Sequence, residues 1–324
     1  MHVIMTAPRL APPAVALIEA AGATLHFMPP YPTAADVQRL AAAVQPVAIL
    51  SRQGPVTAAV MDAAPSLRIV ARHGVGVDDV DIAAAQDRGI LVTRAPGSNT
   101  QAVAEHTIAL LLALAKDLAP LNAQVAAGGW REAATKVRDI AGLRLGLVGY
   151  GAIGQAVARL ATAFGMDIAA YDPGALLPGA LLPGAPSSGI ARCDSLMALL
   201  ARSDAVSLHV PLLPATRHLL GAAGFAAMPP GGYVLNTARG GLLDEAALHD
   251  ALERGHLAGA ALDVFEDEPP APANPLRRHP RVICTPHVAG VTDDSLVNMG
   301  VMAAECIVAV LKGCPVPPDR LVRV

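Results

Sequence analysis

Aromatic side chains are scarce in this chain: 3% of its 324 residues, with a single tryptophan. That scarcity argues against the stacked aromatic platforms that bind single-stranded nucleic acid. Charge of one sign is lacking too. Against 24 Lys and Arg stand 27 Asp and Glu, a net charge of −3, so there is no basic field for a nucleic acid or an anionic bilayer. The four cysteines, Cys193, Cys284, Cys306 and Cys314, form no C-x-x-C pair and no disulfide framework. They fit small buried hydrophobes in a reducing compartment, and a cytoplasmic setting is expected. The ten histidines show no H-x-x-x-H and no metal-ligand spacing with cysteine, so no metal is expected. The longest apolar run, Ile108–Ala115, is flanked by Glu105, His106, Lys116 and Asp117 and is too short to span a membrane. The opening MHVIMTAPRL lacks a signal-peptide pattern and reads as a first strand.

What is present is hydrophobic residue in quantity, 53% of the chain, enough for two packed cores at this length. The most informative stretch is LRLGLVGYGAIGQAVARLATAFGMDIAAYD, residues 143–172. Leu145, Leu147 and Val148 fit a buried parallel strand. GYGAIG follows with G-x-G-x-x-G spacing. Ile153, Val157, Leu160 and Phe164 then recur at helical spacing, and Gly165 ends that helix. Ile168–Ala170 form the next strand, with Asp172 at its end. In such a unit Gly149 permits the tight turn, Gly151 lets a pyrophosphate approach the backbone, and Gly154 lets the helix lie close. The helix N-terminus holds phosphates, and the acid accepts hydrogen bonds from a ribose diol. Because strand, turn, helix, strand and acid occur together, dinucleotide binding is expected. Asp172 precedes Pro173 and Gly174, with no arginine nearby for a 2′-phosphate, which favours NAD over NADP.

The rest of the chain alternates strand and helix. Strands are expected at 3–5, 24–28, 48–50, 67–72 and 90–93, with helices near 12–21, 34–44, 57–64 and 81–88. Five strands with intervening helices imply a parallel, flavodoxin-like sheet. A long helix is expected from Thr100 to Leu118, then an exposed arm through AAGGW at 126–130. The tandem ALLPG in 173–189 reads as a surface loop. Strands are expected at 205–210, 233–236, 257–264 and 282–285, and a final helix over 293–311 capped by Thr292. That helix follows a completed second sheet, so it is expected to return to the first domain. The expected fold is α/β with two doubly wound parallel-sheet domains. A Rossmann cofactor domain, 98–289, is inserted into a flavodoxin-like substrate domain made of 1–97 and 290–324.

Three loops after strand ends carry candidate chemistry: NTARGG at 236–241, DVFEDEP at 263–269 and TPHVAG at 285–290. Singly they read as a turn arginine, a solvated acidic loop and a structural histidine. Together they change meaning, because the carboxyl ends of strands in an open α/β sheet face one crevice, where the glycine turn also lies. Arg239, Glu268 and His287 then converge beside a cofactor's reactive end. An anion clamp, an acid–base histidine and an orienting carboxylate suit hydride transfer to a 2-keto acid. Glu266 and Asp267 are competing acids for the last role.

These motifs, with RHGVGVDDVD (72–81), NTQAVAEHT (99–107), HVPLLPAT (209–216) and ALDVFEDEP (261–269), make residues 1–312 resemble the D-isomer-specific 2-hydroxyacid dehydrogenases. The similarity is strongest to the branch of 3-phosphoglycerate dehydrogenases and hydroxypyruvate reductases. The resemblance implies NAD-dependent hydride transfer between a small D-2-hydroxy acid and its 2-keto acid. It implies that Arg239 binds the substrate carboxylate, that His287 exchanges the proton and that Glu268 orients His287. For the cofactor it implies Gly149, Gly151, Ala152, Ile153, Gly154, Asp172, His209, Val210, Pro211, Thr237, Ala238, Asp263 and Gly290, with Asp263 near the carboxamide. For the substrate it implies Ser51, Arg52, His73, Val75 and Gly76. A homodimer through the cofactor domain is expected, with the arm around Trp130 contributing; no nucleic acid or membrane partner is expected. The chain departs from the family in its Ser51-Arg52 order, in His73 and in TPHVAG, which leaves hydroxypyruvate or glycerate, 3-phosphoglycerate, glyoxylate and a sulfonated analogue open. Glutamate at 268 argues against formate dehydrogenases, which pair the histidine with glutamine. A second class, an NAD(H)-sensing protein of the corepressor type, shares the fold and the Arg-Glu-His order. Such proteins usually carry added tails, and none is expected here.

Overall fold

A computed structural model describes residues 1–172 and 190–322. The chain divides into two compact units, Met1–Asn99 with Val291–Val324, and Thr100–Gly290, so the second is inserted into the first.

The first unit begins with β1 (His2–Met5), α1 (Pro12–Ala20), β2 (Thr24–Phe27), α2 (Ala34–Val44), β3 (Ala48–Ser51), α3 (Ala58–Asp62), β4 (Ile69–Arg72), α4 (Ile82–Asp87) and β5 (Leu91–Thr93). All pairings between these strands are parallel, in the order β2-β1-β3-β4-β5. That is the flavodoxin-like order, whose strands read as continuous apolar runs because helices cover both faces. β3 is buried at every position. The α2 start is a capping box: Thr33 Oγ1 accepts from Asp36 N (3.2 Å) and Asp36 Oδ2 from Thr33 N (3.1 Å), closing two orphan donors.

The second unit runs α5 (Thr100–Ala115), α6 (Leu118–Ala126), β6 (Arg144–Val148), α7 (Ala152–Ala163), β7 (Asp167–Tyr171), β8 (Ile190–Arg192), α8 (Leu196–Leu200), β9 (Ala205–Leu208), α9 (Ala222–Ala227), β10 (Gly232–Asn236), α10 (Glu245–Glu253), β11 (Leu257–Leu262) and β12 (Val282–Cys284). Its sheet is parallel throughout, in the order β12-β11-β10-β9-β6-β7-β8. Six of these strands follow the Rossmann order, with β12 added at one edge. The order reverses between β6 and β9, the switch point where α/β sheets bind ligands.

The last helix, α11 (Asp293–Leu311), packs on α1, β4 and β3 of the first unit. It is long and apolar enough, by length and composition, to cross a membrane. Its Ile307 and Cys306 are fully buried in that unit's core. Each aliphatic side chain so buried contributes about 1.5–3 kcal/mol.

Three local differences from the sequence reading have physical causes. The helix expected from 100 to 118 breaks after Ala115, with Asp117 in the left-handed region (φ +47°). The returning chain ends it there, since Arg138 N donates to the Ala115 carbonyl (2.8 Å) and Lys116 pairs with Asp139. β8 was not expected; it is a three-residue edge strand just after the ALLPG repeat, which lies outside the described residues. α9 was missed because AAGFAA is short and holds a glycine.

Candidate active site

The glycine turn joins β6 to α7. Gly149 has φ +97°, and a Cβ there would stand 2.6 Å from the His209 carbonyl oxygen at the adjacent end of β9. A Cβ on Gly154 would meet the Gly149 oxygen at 2.3 Å, so α7 can lie this close only with glycine. Gly151 behaves differently: nothing stands within 4 Å of the Cβ it lacks. The backbone before Ala152 and Ile153 is therefore open for an approaching group. Asp172 at the end of β7 accepts from Tyr150 N through Oδ2 (2.7 Å), tying the acid to the turn. Two closed glycines, one open glycine and a helix N-terminus fit a dinucleotide pyrophosphate.

Beyond β9, His209 N continues the ladder to Val148 O (2.7 Å), which fixes where Val210 and Pro211 begin. The His209 ring meets Ser207 Oγ at 2.9 Å. Burial pushes its imidazole down to about 4, so it is neutral near pH 7.

The arginine loop follows β10 and is shaped by Asn236, which is fully buried. Asn236 Oδ1 accepts from Ala238 N (3.1 Å) and Nδ2 donates to the Arg239 carbonyl (2.8 Å). This side chain-to-backbone turn carries Thr237, Ala238 and Arg239 out of the strand. Arg239 Nη1 donates to the Ala238 carbonyl (2.6 Å). Gly240 lies on the next loop so closely that a Cβ would stand 1.8 Å from the Phe265 carbonyl carbon. The arginine loop and the 263–268 loop are thus pressed backbone to backbone.

On that second loop, Glu268 Oε1 accepts from Phe265 N (3.1 Å) and Oε2 lies 2.7 Å from His287 Nδ1. Nδ1 therefore carries the proton toward the carboxylate, and Nε2 is the nitrogen left for chemistry. The Glu268 and His287 side chains are 38% and 51% exposed, respectively. Burial raises the Glu268 carboxyl, but His287, Phe265 N and the Arg239 charge outweigh it and hold the group below the usual carboxylate range. Glu268 is therefore ionised at neutral pH. Glu266 faces elsewhere, toward Arg217 and His218 (3.1 Å to His218), while its N–H donates to Glu245 Oε1 (2.7 Å).

Asp263, at the end of β11, is 1% exposed. Its carboxylate accepts from Thr285 Oγ1 (2.6 Å), Val288 N (2.9 Å) and Ala289 N (2.8 Å), so it is committed to the loop that leads to Gly290. His287 sits in that loop with φ +53°.

In the first unit the expected substrate residues meet around Arg72. Its Nη1 donates to the Arg52 carbonyl (2.8 Å) and Asp79 Oδ2 (2.8 Å), and Nε donates to the Gly76 carbonyl (2.8 Å). One guanidinium therefore joins the Ser51–Arg52 loop to the Val75–Gly76 loop. Ser51 is wholly buried, with its hydroxyl near Asp79 and Arg72; its hydroxyl supports the loop from below. His73 is also interior, 5% exposed, and its Nδ1 has no hydrogen-bond partner among the described residues. Burial, then the charges of Arg52 and Arg72, hold its imidazole down to about 4. Arg52, Val75 and Gly76 remain partly exposed.

The sequence reading passed over His106, Thr107, Asn236, Arg72 and Thr285 as individual groups. Asn236 had a usable signal, an amide at a strand end before a small-residue turn. His106 and Thr107 had a weaker one, two polar residues inside an apolar helix. Among the described residues no cluster of three or more His, Cys, Asp or Glu is arranged to hold a metal.

Residues 108–289 match the family described as D-isomer specific 2-hydroxyacid dehydrogenase, NAD binding domain. The chain belongs to that family. It is 42% identical to the D-3-phosphoglycerate dehydrogenase of Archaeoglobus fulgidus over 83% of this chain and 50% of that protein. It is 38% identical to the hydroxypyruvate reductase of Thermotoga maritima over 78% of this chain and 80% of that one. The crystal structure of a Thermus thermophilus protein, TT0316, superposes with a TM-score of 0.88 at 37% identity, covering 100% of both chains. The chain spans about half the length of the phosphoglycerate dehydrogenases it matches. The second unit is the NAD-binding domain of this D-2-hydroxyacid dehydrogenase family, and its glycine turn and Asp172 are the features that fit the cofactor.

Proposed function

We propose that the chain is an NAD-dependent oxidoreductase that interconverts a small D-2-hydroxy acid and its 2-keto acid. The observation that carries this reading is the ionised Glu268 held 2.7 Å from His287 Nδ1, on a loop pressed against the one that bears Arg239. NADH, when bound, supplies the hydride. Arg239 holds the substrate carboxylate and draws electron density toward the keto oxygen, which its planar fork is suited to do. His287 delivers a proton from Nε2 to that oxygen during reduction and removes it during oxidation. Glu268 fixes the ring's orientation and tautomer through its contact with Nδ1. The first unit is the substrate domain in this reading, with Arg52, Val75 and Gly76 at its strand ends.

Relatives named phosphoglycerate dehydrogenase and hydroxypyruvate reductase support a three-carbon keto acid as substrate. The protein acts as a homodimer: α6 has no buried residue, and Leu118, Val125 and Trp130 leave an exposed apolar surface (54%, 54% and 77%) on the same arm. Four free cysteines support a reducing, cytoplasmic setting. The test is NADH oxidation by the purified chain against hydroxypyruvate, 3-phosphohydroxypyruvate, glyoxylate and sulfopyruvate. Turnover with at least one supports the reading. NADH binding without turnover of any would favour the nucleotide-sensing alternative.

A further inference from the structure

Two neighbouring polar side chains on α5, His106 and Thr107, reach two different strand ends. Thr107 Oγ1 donates to the Val103 carbonyl (2.8 Å), so its single proton is committed. Its 3.0 Å contact with Thr237 Oγ1 therefore has Thr237 as donor. That bond ties the arginine loop to α5 just ahead of Arg239.

The His106 contact is fixed by the same reasoning. Thr285 Oγ1 gives its proton to Asp263 Oδ1 at 2.6 Å. His106 Nε2, 3.1 Å from Thr285 Oγ1, must then be the donor and must carry hydrogen. The same nitrogen is 3.7 Å from Asp263 Oδ1. Beyond Asp263, the network reaches the backbone around His287. The Asp263 carboxylate takes Val288 N and Ala289 N, and its carbonyl takes His287 N at 2.8 Å. One buried residue thus gathers the loop on both sides of His287, whose left-handed backbone (φ +53°) needs such support in a residue other than glycine. An interior carboxylate needs its donors satisfied in turn. His106 keeps the Thr285 hydroxyl turned toward Asp263.

We propose that His106 is a positioning residue for His287, acting through Thr285 and Asp263 on the loop that follows β12. This rests on the reading of His287 as the acid–base residue. His106 sets the direction of the His287 ring, so its loss lowers the rate of the chemical step while leaving substrate and cofactor affinity in place.

The test compares wild type with His106→Leu, His106→Gln and Thr285→Val. Imidazole nitrogen spectra of histidine-labelled protein are expected to show a hydrogen on His106 Nε2. A bare Nε2 would overturn the proposal whether or not any keto acid is turned over. In His106→Leu, kcat for keto-acid reduction should fall about 10- to 100-fold, with KM and the NADH Kd within about twofold. His106→Gln, whose amide N–H can replace the ring N–H, should recover most of that loss. The double variant His106→Leu/Thr285→Val should be no slower than Thr285→Val alone, as for residues acting in series. A lowered Tm with unchanged kcat, or additive losses in the double variant, would contradict the proposal. If wild type reduces no keto acid, the functional reading fails. Backbone amide shifts at 287–289 in His106→Leu, expected to move, then still decide the positioning claim.

Discussion

Replacing Glu268 by glutamine separates the charge of the orienting group from its shape. Glutamine has nearly the same size, and its carbonyl oxygen can still accept from His287 Nδ1–H. The 2.7 Å contact is therefore retained as a hydrogen bond but loses its ionic part. The magnitude follows from exposure. A unit charge pair at about 4 Å is worth ~1 kcal/mol in water and ~4 kcal/mol at a protein surface with an effective dielectric of ~20. With the side chains 38% and 51% exposed, solvent screens the pair toward the lower figure. A loss of about 1.5 kcal/mol in the transition state corresponds to roughly a tenfold fall in rate. The assay is kcat/KM for keto-acid reduction by wild type, Glu268→Gln and Glu266→Gln, with the NADH Kd measured beside it and expected to stay within about twofold. Glu268→Gln should be slower by about tenfold and Glu266→Gln should keep the wild-type rate. A wild-type rate in Glu268→Gln together with a tenfold loss in Glu266→Gln would show that Glu266, not Glu268, is the carboxylate that serves His287.

Arg239→Ala should lower kcat/KM by about two to four orders of magnitude, through loss of a bidentate ionic contact, with the NADH Kd nearly unchanged by titration calorimetry. Gly240→Ala should reduce both Tm and activity, since its Cβ would sit 1.8 Å from the Phe265 carbonyl carbon; wild-type melting and rates would show that the two loops are not pressed together. Asp172→Ala should weaken NADH more than NADPH, measured as the ratio of their Kd values. For His73, whose folded value of about 4 lies below the ordinary 6.5, the unfolded chain takes the proton first. Its contribution to stability is therefore present above pH 6.5 and is lost as pH falls toward 4, up to about 3 kcal/mol. In chemical denaturation across that window, His73→Asn should flatten the slope; an unchanged slope would mean that His73 is not the group responsible.

Much of the architecture was readable because parallel strands covered on both faces are written as short apolar runs, as in AILS of β3 and YVLN of β10. The capping box at Thr33 and the glycine turn at 149–154 were local signals with local causes. The break after Ala115 was not readable, because its cause, Arg138 N on the Ala115 carbonyl, arrives from over twenty residues further along the chain. In the site, loops after strand ends brought Arg239, Glu268 and His287 into one reading through topology. What holds them was not legible. Asn236, Asp263 and Thr285 act by hydrogen bonds between neighbouring strand ends, and His106 reaches Thr285 across 179 residues of chain. Ser51 shows the converse: the family resemblance implied substrate contact, and its side chain lies buried, with the hydroxyl near Asp79.

D-specific hydride transfer to a 2-keto acid is tested by chiral analysis of the product formed from NADH and whichever of hydroxypyruvate, 3-phosphohydroxypyruvate or sulfopyruvate the chain turns over. NADH should be consumed and the D-hydroxy acid alone should accumulate. Accumulation of the L-isomer, or NADH bound with neither glyoxylate nor any of these three reduced, would contradict it.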